Sequence, residues 1–98
     1  MQIVIVHQGP SLTQEKYEEA ARRVSGGKSR MESPADWPVE GLLVVHAPGQ
    51  GPSGFRVVDV WESEEAARRF GERLAPILEE IGVQEQPEVY PTHTFVSA

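Results

Sequence analysis

Four short apolar runs, rich in β-branched residues, constrain the fold of this 98-residue chain more than any other feature. They are QIVIVHQ (2–8), GLLVVHA (41–47), FRVVDVWES (55–63) and PEVYPTHTFV (87–96). Short continuous apolar runs bounded by turn residues indicate strands that are covered on both faces. Pro91 lies within the last run, which favours an edge position or a bulge there.

Two amphipathic patterns separate these runs and predict two helices. The first is SLTQEKYEEAARRV, and either Ser11 or Thr13 can cap its N-terminus. Ser11 is followed three residues later by Gln14, which is the pattern of a capping box. The second, SEEAARRFGERLAPILEEIG, begins after Ser63 and stops at Gly82, with Pro76 expected to kink or divide it. The order β-α-β-β-α-β predicts the ferredoxin-like α+β fold, with a four-stranded antiparallel sheet and both helices on one face.

The second face of this sheet also needs a cover, because the strands are apolar on both sides. Nothing within the chain remains to supply one. We therefore expect a homodimer in which two sheets pack their helix-free faces together, each chain forming a single domain over residues 1–98.

Two glycine-containing segments raise the question of a nucleotide site. GQGPSG (49–54) has the spacing of a dinucleotide-binding loop, but a strand follows it where the fingerprint needs a helix. The glycines are therefore interpreted as a hairpin connection. GGKS (26–29) lacks the earlier glycine of a P-loop, since Arg22 stands at that position.

Charge and composition exclude several classes of partner. The net charge is −6, and the nine basic residues are scattered among fifteen acidic ones, which argues against nucleic acid. No apolar run approaches the roughly 20 residues of a membrane span. The start of the chain does not resemble a signal peptide, so we expect a cytoplasmic protein. There is no cysteine, and the three histidines lack the spacing of a local metal site, so no metal is expected.

The hairpin between the second and third runs suggests which side chains share a face. If Ala47 and Gly54 flank the loop, then His46 lies opposite Phe55, Val44 opposite Val57, and Leu42 opposite Asp59. Trp61 shares that mixed face. The other face carries Leu43, Val45, Val58 and Val60. We expect the aliphatic face to pack on the helices and the mixed face to line a barrel cavity.

Each polar candidate has a functional and a structural interpretation. His46 is either a base in the cavity or a hydrogen-bonded interface residue. Asp59 is either a catalytic carboxylate or half of a structural ion pair with Arg56 or with a base of the partner chain. His93 is either catalytic or exposed on an edge strand. His7 ends the first run beside a turn and is interpreted as structural.

The two tryptophans are open to the same choice. Trp61 is either core or a wall on which a ligand stacks. Trp37 lies in residues 25–40, which have no periodic pattern, and either pins that loop or forms part of a lid. We expect residues 25–36 to be the most mobile part of the chain.

The segments WPVEGLLVVHAPG, GFRVVDVWESEEAARRFGERLAPILEEIG and PEVYPTHTF resemble the dimeric α+β barrel superfamily. Within it they are similar to small, mostly uncharacterised actinobacterial proteins grouped with the antibiotic-biosynthesis monooxygenases. Cofactor-free monooxygenases of this kind carry an Asn four residues before a strand Trp and a Tyr six residues after it. Trp61 matches that Trp, whereas Val57 and Ala67 occupy the flanking positions.

Two functions from different classes follow from these observations. The first is a cofactor-independent, monooxygenase-like enzyme that removes a proton from an aromatic or polyketide-like small molecule, with His46, His93 and Asp59 as catalytic residues. Its ligand-binding wall would consist of Trp61, Phe55, Val44, Val57 and Trp37. The second is a non-catalytic dimer module that binds a small apolar ligand or has only a structural role. In the dimer, His46 of one chain is expected to approach His93 of the other.

Overall fold

The computed structural model describes residues 1–98, except for the side chain of Val44. Four strands and two helices follow one another as β1 (Ile3–Gln8), α1 (Gln14–Ser25), β2 (Leu42–Gly51), β3 (Gly54–Trp61), α2 (Glu64–Ile81) and β4 (Glu88–Pro91). The strands form one sheet in the order β2-β3-β1-β4, in which every neighbouring pair is antiparallel. This element order and strand order confirm the predicted ferredoxin-like α+β fold.

Local sequence explains where the helices begin and end. Thr13 caps α1 by accepting a hydrogen bond from the Lys16 amide. The alternative cap, Ser11, instead hydrogen-bonds Glu85 and so ties the start of α1 to the segment after α2. Ser63 caps α2 as predicted. Gly82 ends α2 in a left-handed conformation (φ 87°), which glycine adopts without strain.

Pro76 lies inside α2 without dividing it, since the helix runs unbroken from Glu64 to Ile81. Of the two expected effects of Pro76, division of the helix was wrong, and a kink stays a prediction. Three sequence features favour one continuous helix α2: the Ser63 cap, the apolar stripe on both sides of Pro76, and the stop at Gly82. Together they outweigh the one backbone hydrogen bond that proline removes.

The β2–β3 hairpin is longer than the sequence suggested. The strands continue to Gly51 and Gly54, so Pro52 and Ser53 alone form the turn. His46 therefore lies opposite Asp59, four positions along β3 from the predicted partner Phe55, whose actual partner is Gln50.

The predicted pairings of Leu42 and Val57 were wrong for the same reason. Leu42 lies opposite Trp61 instead of Asp59, and Val57 lies opposite Pro48. A bulge between Leu42 and His46 shifts the register within β2. The shift along the regular part of the hairpin is even, so His46 and Asp59 still share one face.

The assignment of the two faces was wrong, because the mixed face is the one that packs on the helices. Trp61 clusters with Ala66, Ala67 and Phe70 of α2, together with Ile3 and Ile5 of β1 and with Trp37. Phe55 and Val57 cluster with Leu12 and Val83. The large rings of β3 fit here because α2 presents small alanines to the sheet.

The opposite face of the sheet carries the aliphatic residues and has no helix. Val4, Val6 and Val60 form its buried centre, and four partly buried residues pack around them: Leu43, Val45, Val58 and Phe95. Tyr90 of β4 pairs with Val4 and is 44% exposed. An apolar face thus remains beyond the two helices, as the sequence predicted.

Candidate functional site

An apolar cavity lies between the sheet and the two helices of one chain. α1 and α2 provide Tyr17, Ala20, Ala21, Val24, Phe70, Leu74 and Leu78, while the sheet provides His7, His46, Val57 and Asp59. Leu12, Met31, Trp37 and Val83 complete the wall. The pocket is lined by a single chain on the helix side of the sheet, whereas the mixed face was expected from the sequence to line a cavity between two sheets.

Three polar side chains form a chain of hydrogen bonds in this wall. The Nδ1 atom of His46 lies 2.6 Å from Oδ1 of Asp59, and Nε2 of His46 lies 2.6 Å from the hydroxyl oxygen of Tyr17. A carboxylate accepts hydrogen bonds, so Nδ1–H donates to Asp59. In the neutral form of the ring, Nε2 is then the acceptor for the O–H of Tyr17.

The fold holds these three groups in place from three elements. His46 of β2 and Asp59 of β3 are direct cross-strand partners, which explains their contact. Tyr17 projects from the first turns of α1 across the cavity. The side chains of His46 and Asp59 are only 12% and 5% exposed, so the pair is shielded from water. Hydrogen bonds in such surroundings are electrostatically stronger than in water.

Aromatic rings surround the imidazole of His46. The ring of Trp37 meets it edge-on, with centroids 4.6 Å apart, and the ring of Tyr17 lies nearly parallel to it at 5.9 Å. Trp37 is buried and is held by a turn of 3-10 helix at Pro34–Asp36, whose cap Ser33 and Asp36 form a capping box. Trp37 thus anchors the long loop in the core and lines the cavity, and its role as part of a lid stays a prediction.

Burial and charge set the protonation of two further groups. Burial, reinforced by the negative charge of Asp59, raises the pKa of Tyr17 to about 12. Burial also lowers the pKa of His7, although Asp59 opposes that change. At neutral pH the Tyr17 hydroxyl therefore keeps its proton, and the His7 imidazole is neutral.

The structure brings together only part of the site expected from the sequence. His46, Asp59, Val57 and Trp37 line the cavity. The side chain of Val44 lies outside the described residues. No cluster of three or more metal-binding side chains occurs among the residues that the structure describes.

Three expected site residues lie elsewhere. Trp61 is fully buried in the core, where its ring packs on Phe70 at 5.0 Å, and Phe55 belongs to the buried cluster around Leu12. His93 is exposed beyond the end of β4. Both ring nitrogens of His46 are engaged within its own chain. The pairing of His46 with His93 of a second protomer stays a prediction.

Sequence reasoning missed Tyr17 and assigned His7 a structural role. Tyr17 lies within the amphipathic pattern that predicted α1, and its hydroxyl was given no role. The sequence does hold a signal for Tyr17. Its hydroxyl lies on the side of α1 that carries Ala20, Ala21 and Val24, and this side must face the sheet. His7 faces the cavity because it lies opposite Val57, on the same side of the sheet as Asp59.

The fold and cavity define a ferredoxin-like α+β protein with a buried acid–base cluster. Comparison with solved structures finds a similar chain in the crystal structure of a monooxygenase from the gene ActVA-Orf6 of Streptomyces coelicolor, in complex with the ligand nanaomycin D. The identity is 21% and the TM-score 0.46, over 99% of this chain and 91% of that one. No protein-family model and no curated protein matches the chain. In the described part of the chain, no helix is long and apolar enough to cross a membrane.

Proposed function

We propose that this protein is a cofactor-independent, monooxygenase-like enzyme that removes a proton from a small aromatic or polyketide-like molecule. The observation that carries the proposal is the Asp59–His46–Tyr17 chain of hydrogen bonds in the wall of an apolar cavity. A histidine oriented by a carboxylate is a suitable base near neutral pH. A tyrosine hydroxyl between that base and the cavity provides the path for the proton.

Tyr17 transfers the proton instead of holding a negative charge. As its oxygen takes the acidic proton of the substrate, its own proton passes to Nε2 of His46 over the existing 2.6 Å contact. Asp59 then stabilises the imidazolium through Nδ1–H. The raised pKa of Tyr17, about 12, fits this role because it disfavours a persistent tyrosinate.

Dioxygen then reacts with the substrate carbanion. The carbanion transfers one electron to dioxygen, and the two radicals combine to a peroxide anion bonded to the former C–H carbon. Protonation by His46 through Tyr17 gives a hydroperoxide. Loss of water from it converts the original CH₂ group into a carbonyl. One oxygen atom thus enters the substrate, the other leaves as water, and no external reductant is consumed.

The cavity favours a small, mainly apolar substrate. None of its described lining residues is Lys or Arg, and most are aliphatic or aromatic. The cavity volume is small, about 50 Å³, so a larger aromatic ligand requires Met31 and Trp37 of the long loop to move aside.

We propose that the protein works as a homodimer. The helix-free face is apolar and carries partly exposed side chains, among them Val58 and Tyr90. Large apolar patches on soluble chains mark interaction surfaces. Because the active cavity lies on the other side of the sheet, we expect the dimer to support the fold of the site without supplying its hydrogen-bonded chain.

A second candidate function is a non-catalytic module that binds a small apolar ligand. The observation that favours it is the nature of Val57 and Ala67, which replace the Asn and Tyr of cofactor-free monooxygenases. Val57 lies in the cavity wall and Ala67 in the core. In this alternative, the Asp59–His46–Tyr17 chain only satisfies buried polar groups.

Oxygen uptake with an anthrone distinguishes the two functions. We expect the wild type to consume oxygen and release the corresponding quinone. His46→Gln should lower the rate by about 10²-fold or more, as for loss of a general base. Tyr17→Phe should lower the rate as well. Its matched control is Tyr90→Phe, which removes a tyrosine hydroxyl outside the cavity and should leave the rate unchanged. Binding of the anthrone without any turnover would support the ligand-binding module instead.

A further inference from the structure

His7 is a second imidazole in the cavity and has no role in the proton path described above. It lies on β1 opposite Val57, so its side chain points to the same side of the sheet as Asp59 and His46. Both ring nitrogens of His46 are engaged by Asp59 and Tyr17. Within the described part of the chain, by contrast, no hydrogen bond reaches the ring of His7.

We propose, on the basis of the proposed function, that His7 binds a hydroxyl group of the substrate, and that the substrate is therefore a phenol or an enol rather than a carboxylate. A neutral imidazole offers one acceptor nitrogen and one N–H donor. The ring of His7 is half-buried in this apolar wall and has no hydrogen-bond partner in the described part of the chain. A ligand hydroxyl supplies one by donating its O–H to the free ring nitrogen.

The charges around His7 select against an anionic ligand. Asp59 is the one acidic residue among the described lining residues, and its charge acts on His7. His46 and Tyr17 are the other titratable groups in the wall, and no described lining residue is Lys or Arg. A carboxylate in this cavity would be a second buried negative charge without a cation, which is strongly unfavourable. A neutral hydroxyl avoids that cost and still uses the imidazole.

Two contacts would then orient one substrate. The hydroxyl would bind at His7, and the proton to be removed would face Tyr17, while the apolar ring would pack among Phe70, Leu78 and Trp37. The arrangement makes His7 a determinant of specificity that is separate from the proton path.

Binding of simple probes tests the proposal without any turnover. Phenol, benzene and benzoate would be titrated into wild-type protein and into His7→Phe, with Gln50→Phe on the exposed hairpin as the control. Affinity and the imidazole nitrogen shifts of His7 would be followed by NMR. We expect phenol to shift the His7 nitrogens and to bind His7→Phe at least tenfold more weakly, benzene to bind both forms alike, and benzoate to bind neither.

Equal phenol affinity in wild type and His7→Phe, or no binding of phenol to the wild type, would overturn the proposal. If His7→Phe does not fold, the His7 shifts in the wild type still decide, since phenol binding that leaves them unchanged contradicts the contact. Failure of the proposed function looks different: phenol would bind through His7, and yet no anthrone would turn over.

Discussion

At the scale of single residues, the contact between Tyr17 and His46 distinguishes this site from an ordinary buried histidine. A buried histidine with one carboxylate partner is common in protein cores. Here the second nitrogen is also engaged, by a hydroxyl that borders a cavity. In the proposed function, this contact is the path from the cavity to a base that is shielded from water.

The ionisation of Tyr17 provides the first test. Its pKa is raised to about 12 by burial and by Asp59, whereas an ordinary tyrosine has a pKa of about 10. In a Tyr90→Phe background, Tyr17 is the only tyrosine left, so absorbance at alkaline pH reports on it alone. We expect its tyrosinate signal to appear around pH 12, with the fold monitored in parallel by circular dichroism.

The sign of the linked stability change follows from the same shift. The folded state holds the Tyr17 proton more tightly than the unfolded state, so the contribution is fully present below pH 10 and is lost as the pH rises towards 12. Tyr17→Phe should reduce this loss. A tyrosinate signal near pH 10 while the protein is still folded would contradict the burial of Tyr17 beside Asp59.

Individual residues also show what a sequence can reveal about a site. His46 and Asp59 could be placed on one face because strands alternate with a period of two. The sequence could not assign Tyr17 and His7 to the same site as His46 and Asp59. Their contacts depend on how α1 is rotated over the sheet and on which face the helices cover, and packing between elements decides both.

At the scale of elements, residues 26–41 behave as an organised loop. Lys28 forms an ion pair with Asp36 at 2.6 Å, and Asp36 also accepts hydrogen bonds from the amides of Glu32 and Ser33. These contacts fix the residues immediately before Trp37, which lines the cavity. The sequence predicted no regular element in residues 25–40 because it has no hydrophobic periodicity, and capping turns of this kind leave no periodic signal. The expected mobility of residues 25–36 stays a prediction.

Asp36→Asn tests the role of this loop. The hydrogen bond from Lys28 is the main cause of the lowered pKa of Asp36, followed by the amide of Glu32. The stabilisation is therefore present at neutral pH and is lost as the pH falls through the lowered pKa. We expect the variant to show several-fold faster amide exchange at Glu32 and Ser33 at pH 6, with Glu40→Gln as the control. Unchanged exchange would mean that Asp36 does not hold the loop.

The positions of the helices and strands were largely predictable from the sequence. The face of the sheet that packs on the helices was not. Glycine, proline and capping residues marked the ends of β1, α1 and α2 to within a few residues. The register of β2 depended on the length of the turn, which the sequence GQGPSG leaves open. The face that meets the helices is decided by volume, since Trp61 and Phe55 fill space that valines would leave empty.

At the scale of the whole molecule, the helix-free face predicts a homodimer. Val58 lies partly buried in this face, so a lysine there would place a charge in the proposed interface. We expect the wild type to be a dimer at micromolar concentration, and Val58→Lys to shift it to a folded monomer. Gln50→Lys, on the exposed hairpin, is the control. Light scattering coupled to size exclusion measures both, and a wild-type monomer would contradict the proposed assembly.

The most direct test of the proton path is exchange of deuterium between solvent and substrate in the absence of oxygen. An anthrone in D₂O would be followed by NMR with wild type, Tyr17→Phe and Tyr90→Phe. We expect wild type and Tyr90→Phe to accelerate exchange at the acidic carbon, and Tyr17→Phe to lose about 10²-fold of that acceleration. Equal exchange rates with wild type and Tyr17→Phe, both of them folded and binding the anthrone, would contradict the assignment of Tyr17 and His46 as the route of the proton.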